Sequence, residues 1–449
     1  MDKIMNITSR CLLLAATLLV PTLALGMTEP QLRRSGFVGV QVGPVTSESR
    51  SSNDVAANRG VVVLGLVKGG SAIAAGLKEG DILLAANGTQ VEGPLEFAKF
   101  VARLRAGDEV AIQYVRDGIP GTTRVMIRPR PLESTSDVET EYRAVAVDGS
   151  VRRTIVTRPK STGRHPAVLY MTGIGCASQE SFGVQTTEAK LLYGLTRAGL
   201  VTMRVEKSGV GDSQGAACDS EQADLRSEVR AYTAGLRALR AYDFVDRGNI
   251  FLLGLSIGGV EAPLVAQEES VKGIIVINTV ARSFLDYLED IRRTQGTLRS
   301  TPYDVLESRL RLNSSCNYRL FVEHEPRESL IEKSPECRDF IEYPAPYAFM
   351  QQWADLNPAA EWKKVTAPAL ILHGEFDFIA SPVDARYLRD MVNSFHPGLA
   401  TFSSVPRMDH YLGHVGSWAD SLAKTSGTSG EIEPEVIATV TDWIKSHTN

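Results

Sequence analysis

Ser256 is the first candidate for chemistry, because it lies at the centre of a Gly-x-Ser-x-Gly pattern that runs from Gly254 to Gly258. The nearly continuous apolar segment 249–253, which is typical of a buried parallel strand, precedes the pattern, and a helix-compatible segment, 261–268, follows it. A sharp turn between strand and helix lifts a serine hydroxyl above the sheet and leaves room only for glycine beside it. The pattern predicts a nucleophile at Ser256, and a glycine-serine turn without a catalytic role is the alternative.

A serine hydroxyl is a weak nucleophile at neutral pH, so Ser256 needs a base within hydrogen-bond reach and a carboxylate to orient that base. Asp377 follows an apolar predicted strand, 368–372, at the expected C-terminal edge of a sheet. His410 follows another predicted strand, 399–405. We therefore predict that Asp377 is the acid and His410 the base.

Other titratable residues compete for these two roles. His414 lies one helical turn beyond His410, and Asp409 and Glu375 lie beside the chosen residues. A histidine or carboxylate chosen at random is usually a surface or capping group, so the position within the motif decides between them.

The chain order Ser, Asp, His resembles that of the α/β-hydrolase superfamily. The His-Gly-Glu-x-Asp run at 373–377 and the Asp-His pair at 409–410 carry the same resemblance. It implies an α/β fold, with an α/β-hydrolase sheet and a helical lid, and a serine hydrolase of esterase or peptidase type. Such an enzyme cleaves its substrate through an acyl-serine intermediate, and we expect neither a metal nor a cofactor.

The tetrahedral intermediate needs two backbone N–H donors. One is expected from Ile257, directly after the nucleophile. The resemblance implies that Ile174 supplies the other, although Thr172 stands where the family often has histidine. A glycine loop without a catalytic role is the alternative at this second position. The glycine-rich turn after the next strand has Ser208 in place of the family's common arginine, and we interpret this turn as structural.

Residues 37–129 have a sequence pattern that differs from the rest of the chain. They carry the run Ala-Gly-Leu-Lys-Glu-Gly-Asp-Ile-Leu-Leu from Ala75, followed by Asn87-Gly88. This run is similar to that of PDZ domains, small α+β units built as partly open barrels. The resemblance places Phe37, Val38, Gly39 and Val40 at the loop that binds a peptide carboxylate, with a helix from Pro94 as the opposite wall of the groove. Such a module binds a peptide C-terminus, regulates entry to the hydrolase, or serves only as structural packing.

The first 26 residues are predicted to be a signal peptide. Lys3 and Arg10 precede the apolar run 11–20, and small residues follow at 24–26. The run is too short to favour a spanning helix, and no other segment approaches the roughly 20 apolar residues required. We therefore expect an exported protein, periplasmic or secreted, with no stable membrane span in the mature chain. The net charge of −5 and pI near 5.9 argue against nucleic-acid binding.

Four cysteines remain after the signal peptide, an even number in an oxidising compartment. Of the three possible pairings we favour Cys176 with Cys218, because both follow successive strands of the sheet. Cys316 and Cys337 would then pair within one inserted segment. Four free, buried thiols are the alternative.

The expected domain order is a signal peptide at 1–26, a PDZ domain at 30–131, a linker at 132–139, and a catalytic domain at 140–449 with a helix-rich lid at about 281–366. Apolar residues recur at helical spacing near the start of this lid and aromatic residues cluster near its end: Phe284, Tyr287, Leu288 and Ile291, then Tyr343, Tyr347, Phe349, Met350 and Trp353. They either line a substrate pocket or form the core of the lid itself.

These observations predict an exported serine hydrolase that cleaves an ester or amide bond. The attached module favours peptide substrates, with PDZ-assisted binding. A carboxylesterase or lipase acting on small or acyl esters is the close alternative. A non-catalytic protein that binds peptides only through the PDZ groove is the alternative of a different class.

Overall fold

The computed structural model describes residues 32–47, 49, 59–180, 186–424 and 430–448. The predicted signal peptide, residues 1–26, lies outside these ranges. Within them, no helix combines the length and the apolar character that crossing a bilayer requires.

The N-terminal unit is an antiparallel sheet with two short helices. Its elements are β1 (Gly36–Phe37), β2 (Val40–Pro44), β3 (Val61–Leu66), α1 (Ser71–Ala74), β4 (Ile82–Ala86), β5 (Thr89–Gln90), α2 (Pro94–Ala102), β6 (Glu109–Arg116), β7 (Ile119–Met126) and β8 (Arg128–Pro129). The strand order is β2-β3-β4-β6-β7, with β5 beside β4 and β1 paired with β8. Asn87 and Gly88 both have positive φ, 48° and 78°, as a tight turn of type I′ requires. This unit covers the segment whose sequence resembles a PDZ domain.

The catalytic sheet has eight strands in the order β16-β15-β14-β13-β11-β12-β10-β9. Its strands are β9 (Val138–Val147), β10 (Ser150–Pro159), β11 (His165–Met171), β12 (Val201–Val205), β13 (Val245–Leu255), β14 (Gly273–Ile277), β15 (Ala369–Phe376) and β16 (Ala400–Asp409). The strands from β11 to β16 pair in parallel, whereas β9 and β10 are antiparallel. The strand predicted at 399–405 is longer than expected, since it continues to Asp409.

Helices cover both faces of this sheet, so the central strands are buried on both sides and their sequences are almost continuously apolar. The flanking helices are α3 (Thr187–Arg197), α4 (Leu225–Ala241), α5 (Ile257–Glu268), α11 (Pro382–Phe395), α12 (Trp418–Ala423) and α13 (Pro434–His447). The side chains of consecutive residues in one strand pack on opposite faces of the sheet, in the two apolar layers between the sheet and its helices. Leu169 packs in the layer under α4, α5 and α11, and Val168 packs in the layer under α3 and α13.

The lid is a group of helices inserted between β14 and β15. Its elements are α6 (Phe284–Leu298), α7 (Tyr303–Phe321), α8 (Arg327–Lys333), a 3-10 helix (Pro335–Phe340), α9 (Tyr347–Ala354) and α10 (Pro358–Trp362). Phe284 is at the centre of the lid core, where its ring centroid is 5.1 Å from that of Phe321 and 4.7 Å from that of Trp353. The aromatic cluster predicted from the sequence therefore holds the inserted helices together.

The segment predicted to be a linker packs against the catalytic sheet. Glu133 accepts a hydrogen bond of 2.8 Å from Arg204 of β12, and both side chains are buried. Just before the PDZ sheet, the Arg34 guanidinium lies 2.9 Å from Asp212 of the hydrolase, whose carboxylate also accepts from the Ser35 amide. The first contact ties the linker to the hydrolase, and the second ties the PDZ domain to it.

Two disulfides are present, Cys176–Cys218 and Cys316–Cys337, in the pairing favoured from the sequence. The first joins two loops beside the catalytic sheet. The second joins α7 to the 3-10 helix of the lid. Their cysteines are 42 and 21 residues apart in the chain.

We predict that mass mapping of the exported protein, digested without reduction, will recover both linked peptides. Each bridge should stabilise the fold by about 3 to 4 kcal/mol in the chain-entropy account, because it closes a long loop in the unfolded chain. The C316A/C337A variant should therefore have a lower melting temperature than the unchanged protein. Recovery of four free thiols from the native compartment would refute both bridges.

Candidate active site

Ser256 occupies the sharp turn between β13 and α5. Its backbone has φ 54° and ψ −120°, a conformation that non-glycine residues rarely adopt. Its amide donates to the carbonyl of Ile277 at 2.9 Å, which fixes the turn to the neighbouring strand β14. A Cβ on Gly258 would lie 2.2 Å from the carbonyl oxygen of Met171. Only glycine fits at that position, which explains part of the Gly-x-Ser-x-Gly pattern.

The structure brings the three predicted catalytic side chains together. The His410 Nε2 lies 3.2 Å from Ser256 Oγ, and His410 Nδ1 lies 3.0 Å from each carboxylate oxygen of Asp377. One of those oxygens also accepts from the amides of Ile379 and Ala380, at 2.8 Å each. Because a carboxylate only accepts, Nδ1 carries the proton and the lone pair of Nε2 faces the serine hydroxyl.

The competing residues have other partners. His414 Nδ1 lies 2.6 Å from Glu433 Oε2, with the histidine side chain 39% exposed. Asp409 accepts from the amides of Tyr411 and Gly413 and so shapes the loop that carries His410. Glu375 accepts from the amide of Arg407. None of these contacts involves Ser256.

Asn278, which sequence reasoning missed, connects strand β15, which precedes Asp377, to the backbone at Asp409 and His410. Its Nδ2 donates to the carbonyls of Asp409 and His410 at 3.1 Å each, and its Oδ1 accepts from the amide of Gly374 at 2.8 Å. The side chain is buried. The feature of the sequence that could have pointed to Asn278 is its position at the end of an apolar strand, because that places it at the C-terminal edge of the sheet.

The predicted oxyanion donors, Ile174 and Ile257, line the same cavity as Ser256. Gly173 lies against Ser256, since a Cβ on this glycine would be 3.6 Å from the Cβ of Ser256. The rest of this loop is held by Glu206, which accepts from Ser178 Oγ at 2.5 Å and from the amide of Gln179 at 3.0 Å. Burial raises the pKa of Glu206 to about 7.

A cavity of about 780 Å³ opens above Ser256 and is mainly apolar. Seven of the lid residues singled out from the sequence line it: Phe284, Tyr287, Leu288, Ile291, Tyr343, Met350 and Trp353. Tyr347 and Phe349 instead pack within or against the lid core. Six of these seven, all except Ile291, also belong to the lid core or pack against it, so one layer of side chains forms both the core of the lid and the wall of the cavity.

In the PDZ domain, β2 is an edge strand, so one side of it is unpaired in the sheet. Gly39, directly before β2, has φ 71°, and a Cβ there would lie 2.6 Å from Gly70 Cα. In the part of the chain that the structure describes, no group accepts a hydrogen bond from the amides of Val38 and Gly39. Both amides lie directly before β2, the edge strand of this sheet.

The parallel sheet with its serine turn, flanking helices and lid defines a serine hydrolase of the α/β-hydrolase type, preceded by a PDZ domain. The family described as serine aminopeptidase, S33, matches residues 185–412, about half of the chain, and the protein belongs to this family. The PDZ match covers residues 36–127.

Individual relatives match either a short part of the chain or most of it. A probable periplasmic serine endoprotease, DegP-like, of Brucella suis is 33% identical over 96 residues, or 21% of this chain and 19% of that protein. The chain thus spans about a fifth of the length of that relative. Esterase EstD of Thermotoga maritima is 22% identical over 307 residues, 68% of this chain and 67% of that protein. Est1E from Butyrivibrio proteoclasticus, a solved structure, has 14% identity and a TM-score of 0.42, and the match covers 68% of this chain and 98% of that one.

Proposed function

We propose that this protein is an exported serine hydrolase that cleaves an ester or amide bond, with Ser256 as nucleophile, His410 as base and Asp377 as the acid that orients it. The observation that carries the proposal is the continuous contact from Ser256 Oγ through the imidazole to the Asp377 carboxylate, at 3.2 and 3.0 Å. Distances of this size permit proton transfer from the hydroxyl to the imidazole.

In the proposed mechanism, Ser256 Oγ attacks the scissile carbonyl while His410 Nε2 takes the hydroxyl proton. The negative charge on the carbonyl oxygen is stabilised by the amides of Ile257 and Ile174. His410 then gives its proton to the leaving alcohol or amine, which departs and leaves an acyl-serine. A water molecule, deprotonated by the same imidazole, releases the acid and restores Ser256.

The expected substrate is a small ester or a peptide whose acyl part enters the cavity under the lid. The apolar lid wall favours an apolar acyl group or side chain, because burying it removes apolar surface from water. This feature also supports the second candidate, a carboxylesterase acting on acyl esters. The PDZ domain supports the peptidase-like candidate, since PDZ domains bind peptides as an added strand.

Export is supported by the leader-like N-terminus and by the two disulfides, which persist in oxidising compartments. The DegP-like relative is named as periplasmic. We propose a periplasmic or secreted location for the mature chain.

Labelling with a fluorophosphonate tests the proposal, because this reagent reacts with an activated serine and not with ordinary serines. The labelled peptide should contain Ser256. The turnover of enzyme that has not been treated with the reagent should then be compared on matched p-nitrophenyl esters and aminoacyl p-nitroanilides. Turnover of both supports the peptidase-like candidate, and turnover of the esters alone supports the carboxylesterase. Absence of labelling, together with peptide binding, would favour the non-catalytic alternative.

We further propose that residues Phe37 to Val40 bind the C-terminal carboxylate of a peptide. The free amides of Val38 and Gly39 support this, with β2 as the strand edge and α2 as the other wall. Peptides with free apolar C-termini should bind the full-length S256A variant, and amidation of the same peptides should weaken binding by about 1 to 3 kcal/mol, because the loop amides lose a charged acceptor. Calorimetry with each matched pair measures the difference. Equal affinity for free and amidated peptides would contradict this assignment.

A further inference from the structure

Lys207 is a buried lysine, in contact with the loop after β11, that the mechanism above does not use. It follows β12 in the glycine-rich turn that we interpreted as structural, and its side chain is 4% exposed. Its Nζ donates to the carbonyl oxygen of Gly173 at 3.1 Å and lies 3.0 Å from Glu228 Oε2. Lys207 thus connects helix α4 to the loop after β11.

The carbonyl that Lys207 holds belongs to the same peptide unit as the amide of Ile174. In a planar trans peptide the C=O and N–H bonds point in opposite directions. Fixing the oxygen of Gly173 on one side therefore fixes the direction of the Ile174 N–H on the other. A cation on the carbonyl also polarises the peptide and makes its N–H a stronger donor.

We propose that Lys207 is a positioning residue for the oxyanion hole, acting through the Gly173–Ile174 peptide, with Glu228 as the counter-ion that holds it in place. This inference rests on the proposed function, in which Ser256 is the nucleophile and Ile174 an oxyanion donor. It adds a residue that touches neither the substrate nor the reacting atoms.

The charges around Lys207 agree with this role. Glu261 of α5 is fully buried, and neither of its carboxylate oxygens has a hydrogen-bond partner among the described residues. Burial and the neighbouring Glu228 raise the pKa of Glu261 well above its ordinary value, whereas the positive charge of Lys207 lowers it. Burial also raises the pKa of Glu228, and the pairing with Lys207 opposes that rise. Lys207 thus interacts with both buried carboxyl groups.

The K207M/E228Q double variant tests the proposal, because it removes the cation without leaving the Glu228 carboxylate buried and unpaired. We expect kcat on a p-nitrophenyl ester to fall by about 10²-fold with KM within about threefold, as for an interaction made chiefly in the transition state. A trifluoromethyl ketone, which forms a tetrahedral oxyanion with the serine, should lose affinity by a similar factor. The matched methyl ketone, which scarcely adds to serine, should bind as before.

A purely structural ion pair would lower the melting temperature while leaving kcat and the ratio of the two ketone affinities unchanged, and that result would overturn the proposal. If the double variant does not fold, E228Q alone is measured. This variant keeps the Lys207 donor but removes the carboxylate that anchors it. The affinity for the trifluoromethyl ketone relative to that for the methyl ketone should then fall by about threefold to tenfold, and an unchanged ratio overturns the proposal. Failure of the proposed function is a separate outcome, because the unchanged enzyme would then resist fluorophosphonate labelling and bind both ketones alike.

Discussion

The S256A variant is expected to lose at least about three orders of magnitude in kcat/KM, since the remaining rate would depend only on binding and the oxyanion donors. The nucleophilic oxygen is the atom removed, and its contact with His410 Nε2 at 3.2 Å disappears with it. The fold should persist, because the Ser256 main chain is held by its own hydrogen bonds to Ile277 and from Thr279 Oγ1. Steady-state kinetics on an ester, with circular dichroism as a check on folding, measures both effects.

The S178A variant is the matched control for labelling. Ser178 lines the same cavity, but its hydroxyl donates to Glu206 and not to an imidazole. Fluorophosphonate should therefore label S178A and fail to label S256A. Near-normal turnover by purified S256A protein would remove Ser256 from the mechanism altogether.

For H410A we expect a loss comparable to that of S256A, roughly three orders of magnitude or more, because the nucleophile and its base act as one unit. His410 is the side chain that contacts both Ser256 Oγ and the Asp377 carboxylate. Its removal leaves the serine hydroxyl without a proton acceptor. The kinetics should be measured across pH, since hydroxide at high pH replaces part of the missing base.

The H414A variant provides the comparison, because His414 lies only four residues away and differs in its contacts. Its imidazole pairs with Glu433 at 2.6 Å and is partly exposed. We expect a loss of less than about tenfold, of the size that follows from a disturbed loop. A larger loss for H414A than for H410A would move the base to His414.

The sequence predicted the sheet and the order of the candidate site because these depend on local patterns. Buried parallel strands are continuously apolar, and glycines are required where Gly258 approaches the carbonyl of Met171 at a distance no side chain allows. The positions of Ser256, Asp377 and His410 follow from strand ends, which a parallel sheet gathers at one edge. The two disulfides also agreed with the favoured pairing.

Asn278 and Lys207 could not be assigned from the chain alone. A single asparagine or lysine after a strand has no distinctive spacing, and its role comes from groups far away in sequence: Asp409 for Asn278, Gly173 for Lys207. Burial also raises the pKa of carboxyl groups such as that of Glu261, and burial is a property of the packed fold.

What the sequence by itself determined is the class of fold, the PDZ module and the residue types of the site, since each is encoded by spacing within a short stretch. What only the tertiary structure decided is which histidine faces Ser256, how the linker residue Glu133 packs on Arg204, and that the lid core is also the cavity wall. The first two depend on contacts between residues 154 and 71 positions apart in the chain, and the third on contacts between separate helices. The geometry of all three is set by packing and not by local periodicity.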